Sequence, residues 1–152
     1  MKKIVVLLGS KSDLPQVEEG LKIFQELGIS YEVKVLSAHR NPNELRKYVK
    51  DVEKKGTKLI IACAGLSAAL PGVVSSYVDI PVIGVPLYSK AFRGIDSLLS
   101  ILQMPKGVPV ACLTVGSVGM INAVILALRI LSLSDKKMRK LLSKVKRKFR
   151  KR

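Results

Sequence analysis

The chain has one histidine, His39, set in Ser37-Ala38-His39-Arg40 between a run that reads as a strand and a segment that reads as a helix. Imidazole takes up and releases protons near neutral pH, so a histidine at such a junction is a candidate general acid and base. Position alone weighs equally for a solvated loop histidine. Arg40 beside it offers a planar fork of donors suited to a phosphate or carboxylate. Nearer the amino end, Gly9-Ser10-Lys11-Ser12-Asp13 sets small hydroxyls and free backbone amides ahead of a helix. The orphan N–H groups and dipole of a helix start favour an anion there, although a plain capped loop accounts for Ser12 and Asp13 as well. The segment has neither the Gly-Lys-Ser/Thr ending of a P-loop nor a Gly-x-Gly-x-x-Gly fingerprint, which disfavours ATP-driven and hydride chemistry. Gly-x-Ser-x-Gly is absent, and no histidine or cysteine pair stands at ligand spacing, so a serine nucleophile elbow and a zinc site are disfavoured too.

These residues need elements to position them. Ile4 to Leu8 is a continuous apolar, β-branched run closed by Gly9-Ser10, the pattern of a strand buried on both faces. After Asp13 and Pro15, Val17, Leu21, Phe24 and Leu27 recur at helical spacing until Gly28 stops them. The unit then repeats. Further strands are expected at Tyr31 to Leu36, Leu59 to Cys63, Pro81 to Val85 and Val108 to Leu113. Further helices are expected at Asn41 to Lys55, Ser67 to Tyr77, Ile95 to Leu102, and from Gly116-Ser117 to about Leu133. Five strands alternating with helices over short connections predict a three-layer α/β/α sandwich with a five-stranded parallel sheet in flavodoxin-like order. In such sheets ligands bind beyond the carboxyl ends of the strands. The residues just past strands one to three are Gly9 to Asp13, Ser37 to Arg40 and Ala64 to Ser67.

With 152 residues, 48% of them hydrophobic, the chain has material for one compact core. Its formal charge of +16 is concentrated at the end: residues 1–135 carry 16 basic and 11 acidic groups, a net of +5, and 136–152 carry 11 basic groups and no acidic one. The expected organisation is an α/β domain over 1–134 and a basic amphipathic helix over 135–152, with Met138, Leu141, Leu142, Val145 and Phe149 on its apolar stripe. That stripe is expected to dock on a neighbouring subunit; nucleic acid or an anionic membrane surface is the competing partner. Aromatics make up 5% of the chain, with no Trp and none interleaved among the basic residues, so no base-stacking platform is evident and nucleic acid is disfavoured. Cys63 and Cys112 lie in apolar runs and read as reduced thiols rather than a disulfide framework. Met1-Lys2-Lys3-Ile4 enters a strand directly, which fits neither a signal peptide nor a membrane span. A cytoplasmic location is expected.

Several motifs in order extend the argument: Gly9 to Asp13; Ser37-Ala38-His39-Arg40-Asn41-Pro42; Ala64-Gly65 with Leu70-Pro71-Gly72; Pro81 to Pro86; and Asp96 to Ile101 through Gln103-Met104-Pro105. From Ile4 to about Leu131 the chain resembles the carboxyaminoimidazole ribonucleotide mutases and aminoimidazole ribonucleotide carboxylases of purine biosynthesis. The resemblance implies a parallel α/β sandwich assembled as a homo-octamer, with sites at subunit contacts and no metal or organic cofactor. It implies that Ser10, Ser12, Asp13 and Arg40 hold the ribose phosphate end of a ribonucleotide, Asp13 accepting from a ribose hydroxyl. His39 becomes the proton carrier, flanked in the substrate-binding loop by Ser37 and Ala38. Ala64, Gly65, Leu66 and Ser67 line the place where a carbon dioxide intermediate is kept, and Leu70 is a further substrate-binding residue. One position departs from the pattern. Many bacterial mutases carry a histidine just before Leu-Pro-Gly, where this chain has Ala69. Leu70-Pro71-Gly72 favours the mutase branch, and Ala69 keeps direct carboxylation of aminoimidazole ribonucleotide open.

Overall fold

The structure is a computed structural model and describes residues 2–150. Its centre is β1 (Ile4–Leu8), a strand with all five side chains buried. β1 pairs in parallel with β2 (Tyr31–Val35) on one side and β3 (Leu59–Ala64) on the other; β4 (Val82–Pro86) and a short β5 (Ala111–Cys112) complete the sheet in the order β2-β1-β3-β4-β5. This is the flavodoxin-like order expected from the alternation of elements.

Strand side chains alternate between faces, and here the alternation builds two cores. Ile4, Val6 and Leu8 with Ile61, Cys63, Ile83 and Val85 face α1 (Leu14–Glu26) and α5 (Ser117–Leu131). Val5 and Leu7 with Ile60, Ala62 and Val82 face the opposite layer of α2 (Pro42–Lys54), α3 (Leu70–Ser75) and α4 (Ile95–Leu102). The amphipathic spacing of α1 and α2 puts Val17, Leu21 and Phe24 in the first core and Leu45, Val49 and Val52 in the second. Gly119 lets α5 start close to the sheet edge: a Cβ there would overlap the Thr114 carbonyl.

Two elements are shorter than their sequence suggests. The helix expected over residues 67–77 spans only Leu70–Ser75, because Ser67 and its neighbours form a tight turn. Leu66 adopts a left-handed φ of 55°, and the amides of Ala68 and Ala69 donate to the carbonyls of Leu66 and Ser67. Pro71, lacking an N–H, sits where the first turn needs none. The strand expected over 108–113 pairs only at Ala111 and Cys112. Pro109 has no donor for a ladder, and Gly107 turns the chain with a φ of 86°.

The C-terminal helix, α6 (Lys136–Arg150), docks on its own chain. Met138, Leu142 and Val145 are buried in the first core against α5, and Leu141 and Phe149 pack beside them. The stripe expected to meet a neighbouring subunit is therefore covered within the molecule, because an apolar stripe that can reach its own core buries there. Asp135 caps the helix by accepting the Lys137 amide at 2.8 Å and the Met138 amide at 3.2 Å. Its carboxylate also meets Lys3 at 2.6 Å, and Lys148 meets Glu26 at 2.7 Å. The Lys3 ammonium, followed by the cap amides, lowers the Asp135 pKa. Among the described residues no helix is long and apolar enough to cross a membrane. Both thiols are free; Cys63 is fully buried and its pKa is raised by that burial, while Cys112 is half-buried.

If α6 belongs to the core, Leu142→Ala should lower the free energy of unfolding by about 2–3 kcal/mol, against about 0.5 kcal/mol or less for the exposed Lys144→Gln. Denaturant titration measures both. Equal effects of the two changes would mean that α6 does not dock as described.

Candidate functional site

In the register of the sheet Leu8 stands opposite Val35 and Cys63, and Cys63 opposite Val85. Four strands thus end nearly in line, and the loops that follow emerge at one edge. The first loop is a single turn of 3-10 helix over Lys11–Asp13. The Ser10 hydroxyl accepts the Ser12 amide at 3.3 Å, and the Asp13 carboxylate accepts the Ser10 amide at 2.8 Å. This reciprocal capping box makes the loop rigid by satisfying donors that a helix start leaves free. The Ser12 hydroxyl donates to that of Ser10 at 2.9 Å. Asp13 is half-buried, and burial raises its pKa from 3.8 against the opposing pull of the Ser10 and Gly9 amides and of Arg40.

The second loop meets the first. Ser37 Oγ accepts the Arg40 amide at 3.2 Å, closing the turn that carries Ala38 and His39. The Arg40 guanidinium donates to the Gly9 carbonyl at 3.4 Å, which brings its positive charge to the Ser10 to Asp13 turn. His39 is exposed between them. The third loop joins from the other side: Gly9 donates to the Cys63 carbonyl at 3.2 Å, and Leu87, just after β4, donates to the Ala64 carbonyl at 2.9 Å. Ala64 and Gly65 lie low at this edge, while Leu66 and Ser67 stand out in solvent, Leu66 with 66% of its surface exposed. Leu70 is placed differently from the other expected contacts. It is 2% exposed and fills the second core beneath the loop.

The fourth loop holds residues that the sequence alone did not single out for the site. Gln16, in the first turn of α1, clamps the Tyr88 backbone with both ends of its amide: Nε2 donates to the Tyr88 carbonyl at 3.1 Å, and Oε1 accepts the Tyr88 amide at 2.8 Å. Ser89 donates to both carboxylate oxygens of Asp96 at 3.0 Å, and the buried Ser97 hydroxyl donates to the Leu87 carbonyl at 2.7 Å. Gln16 pairs with a residue 72 positions away, and no local spacing announces such a pair. Phe92, 66% exposed, and Tyr88 add apolar surface beside the edge. Two grooves of about 620 Å³ lie elsewhere, one along the outer face of α2 and one at the amino end of β4 and β5. The carboxyl edge is thus an open shelf: a small cationic and hydroxyl cradle, one imidazole, and a floor of small apolar residues. Among the described residues no group of three His, Cys, Asp or Glu side chains is close enough to hold a metal ion.

Comparison with known proteins gives consistent matches. A model of the AIR carboxylase family matches residues 3–152. The N5-carboxyaminoimidazole ribonucleotide mutase of Pyrococcus abyssi is 49% identical over 144 residues, covering 95% of this chain and 82% of that one. The protein of the same name from Bacillus subtilis is 48% identical over 130 residues, covering 86% and 80%. The crystal structure of Treponema denticola PurE superposes with a TM-score of 0.87 at 32% identity, covering 97% of this chain and 91% of that one.

Two outcomes follow from the geometry. Because Asp13 has a raised folded pKa, the native state binds its proton more tightly than the unfolded chain does. Stability should therefore fall as pH rises from 3.8 through that raised value. Asp13→Asn keeps an oxygen for the Ser10 amide and should flatten this part of the profile in thermal melts; an unchanged slope would refute the assignment. Gln16→Ala should free the Tyr88 backbone and raise KM for the site's ligand more than it lowers thermal stability. A variant with wild-type kinetics would show that the clamp does not shape the site.

Proposed function

The chain belongs to the AIR carboxylase family, and from that premise we propose that it acts in purine biosynthesis as a mutase. It converts N5-carboxyaminoimidazole ribonucleotide to 4-carboxy-5-aminoimidazole ribonucleotide, with His39 as the proton carrier. The observation that carries the reading is the Arg40–Gly9 hydrogen bond. It draws the histidine loop onto the hydroxyl-lined turn, so that a phosphate on the turn leaves an attached ring near the imidazole.

On this reading Ser10, Ser12 and Arg40 hold the phosphate, with charge-assisted bonds from the guanidinium, and Asp13 accepts from a ribose hydroxyl. Ser37 and Ala38 shape the loop under the ring. The carbamate N–C bond breaks, carbon dioxide departs, and the electron pair returns to nitrogen, which takes a proton from the His39 imidazolium. The ring is then an electron-rich enamine. Its C4 attacks the retained carbon dioxide, and the C4 proton passes to His39, which restores both the aromatic ring and the charged imidazole. Protons balance over the cycle, and one histidine serves both transfers. The small residues Ala64 and Gly65 leave room for an uncharged linear molecule beside the ring, with Leu66 and Ser67 above them, and a subunit contact closing over the open shelf keeps water off it. No step calls for a metal or an organic cofactor.

The enzyme works in the cytoplasm as a homo-octamer with its sites at subunit contacts. What supports an assembly is the exposed apolar surface beside the open shelf, from Tyr88 and Phe92 to Ile95, Leu99 and Leu102 on α4. Soluble proteins rarely leave such a contiguous patch to water.

Ala69 favours a second reading. With no imidazole at the start of α3, the same residues would carry direct carboxylation of aminoimidazole ribonucleotide, carbon dioxide then entering from solvent instead of from the carbamate.

Formation of the C4-carboxylated product from each ribonucleotide separates the two. Efficient turnover of the N5-carboxylated substrate is expected, and preference for the uncarboxylated one with bicarbonate would move the protein to the second reading. His39→Asn should lower kcat by about 10²–10⁴-fold without lowering the melting temperature, because the side chain is exposed. Turnover that survives this change would remove His39 from the chemistry.

A further inference from the structure

Nothing in the site above uses α6, yet α6 holds the densest charge in the molecule. Nine of its fifteen residues are Lys or Arg and none is acidic. Successive helical residues are rotated by about 100°, so the side of the helix opposite buried Met138, Leu142 and Val145 carries Lys136, Lys140, Arg147 and Arg150. Arg139 and Lys144 flank that row, and all six side chains are exposed. Among the described residues, Lys148 alone of the nine cations of α6 forms an ion pair.

The helix is also far from the shelf. Its start is tied to Lys3, just ahead of β1, and its end to Glu26, where α1 has returned to the amino edge of the sheet. We propose that this cationic row docks the phosphate backbone of double-stranded nucleic acid, as a function separate from the proposed mutase site.

Three features select that occupant. Charge and length match: Lys136 to Arg150 spans about 20 Å of helix, and a duplex carries one negative charge per about 1.7 Å of its axis. An anionic membrane fits less well, since an interfacial helix must insert its apolar face, and that face of α6 lies in the protein core. Phe149, the aromatic residue of α6, packs on the same core, so no ring is offered to an unpaired base. Lack of aromatics argues against base stacking but leaves backbone binding untouched. Contact through phosphates alone carries no sequence information.

The test is fluorescence anisotropy of a labelled mixed-sequence DNA duplex titrated with the full chain across about 50–200 mM salt. The expected result is binding tighter than about 10⁻⁴ M, with log K falling against log salt at a slope of about −4 for four to five neutralised phosphates. The triple change Lys140→Gln, Lys144→Gln and Arg147→Gln should weaken binding at least about 10-fold and flatten the slope by about one unit per cation removed. The melting temperature and turnover should be unchanged. A control triple on α2, Lys47→Gln, Lys50→Gln and Lys54→Gln, should leave binding in place. Absence of binding at the lowest salt overturns the proposal, as does equal loss from the control. Capture by phosphatidylserine vesicles in preference to the duplex overturns it in favour of a lipid surface.

Discussion

The parallel register of β1 with its two neighbours is the constraint on which everything else rests. Leu8, Val35 and Cys63 align across three strands, so the turns that follow them open at the same height and on the same edge. Parallel strands need crossover helices, and α1, α2 and α3 each return the chain so that the next strand also ends at that edge. Burial on both faces holds the register, because a one-residue slip would turn Val5 and Leu7 into the core that Ile4, Val6 and Leu8 occupy. With the edge set, hydrogen bonds between the loops complete the shelf: Gly9 to Cys63, Arg40 to Gly9, and Leu87 to Ala64.

What the sequence made legible, and what it hid, follows from the range of the interactions involved. β1, α1 and α2 could be placed within a residue or two, because hydrophobic period and Gly or Pro punctuation are local signals. The carboxyl-edge residues followed from that placement, and the motif order around them pointed to the family. From Ser67 onward the sequence predicts helix where the structure has a turn, because small residues carry no period and nothing local marks the left-handed Leu66. β5 is shorter than its sequence suggests because Val108 and Val110 look like strand while Pro109 cannot pair. Gln16 and Tyr88 are invisible as a pair because 72 positions separate them in the chain. The amphipathic character of α6 was plain in the sequence, whereas the surface it covers depends on tertiary packing.

The charge distribution divides the molecule in a consistent way. At the carboxyl edge, Arg40 is tied to the Gly9 carbonyl and faces the half-buried Asp13. At the amino edge, α6 presents a row of free cations on a helix whose other face is locked in the core. A site that must orient one phosphate needs the first arrangement, and a surface that meets a repeating polyanion needs the second. The two lie at opposite ends of the same strands, so each can be altered without disturbing the other.

The central claim is that carbon dioxide released from the carbamate stays on the shelf until C4 captures it. The direct measurement is turnover of N5-carboxyaminoimidazole ribonucleotide carrying ¹³C in its carboxyl group, in the presence of excess unlabelled bicarbonate and carbon dioxide. Retention of the label at C4 of the product is the predicted result. Dilution of the label to the level of the solvent pool would mean that carbon dioxide escapes and re-enters, and would contradict the account.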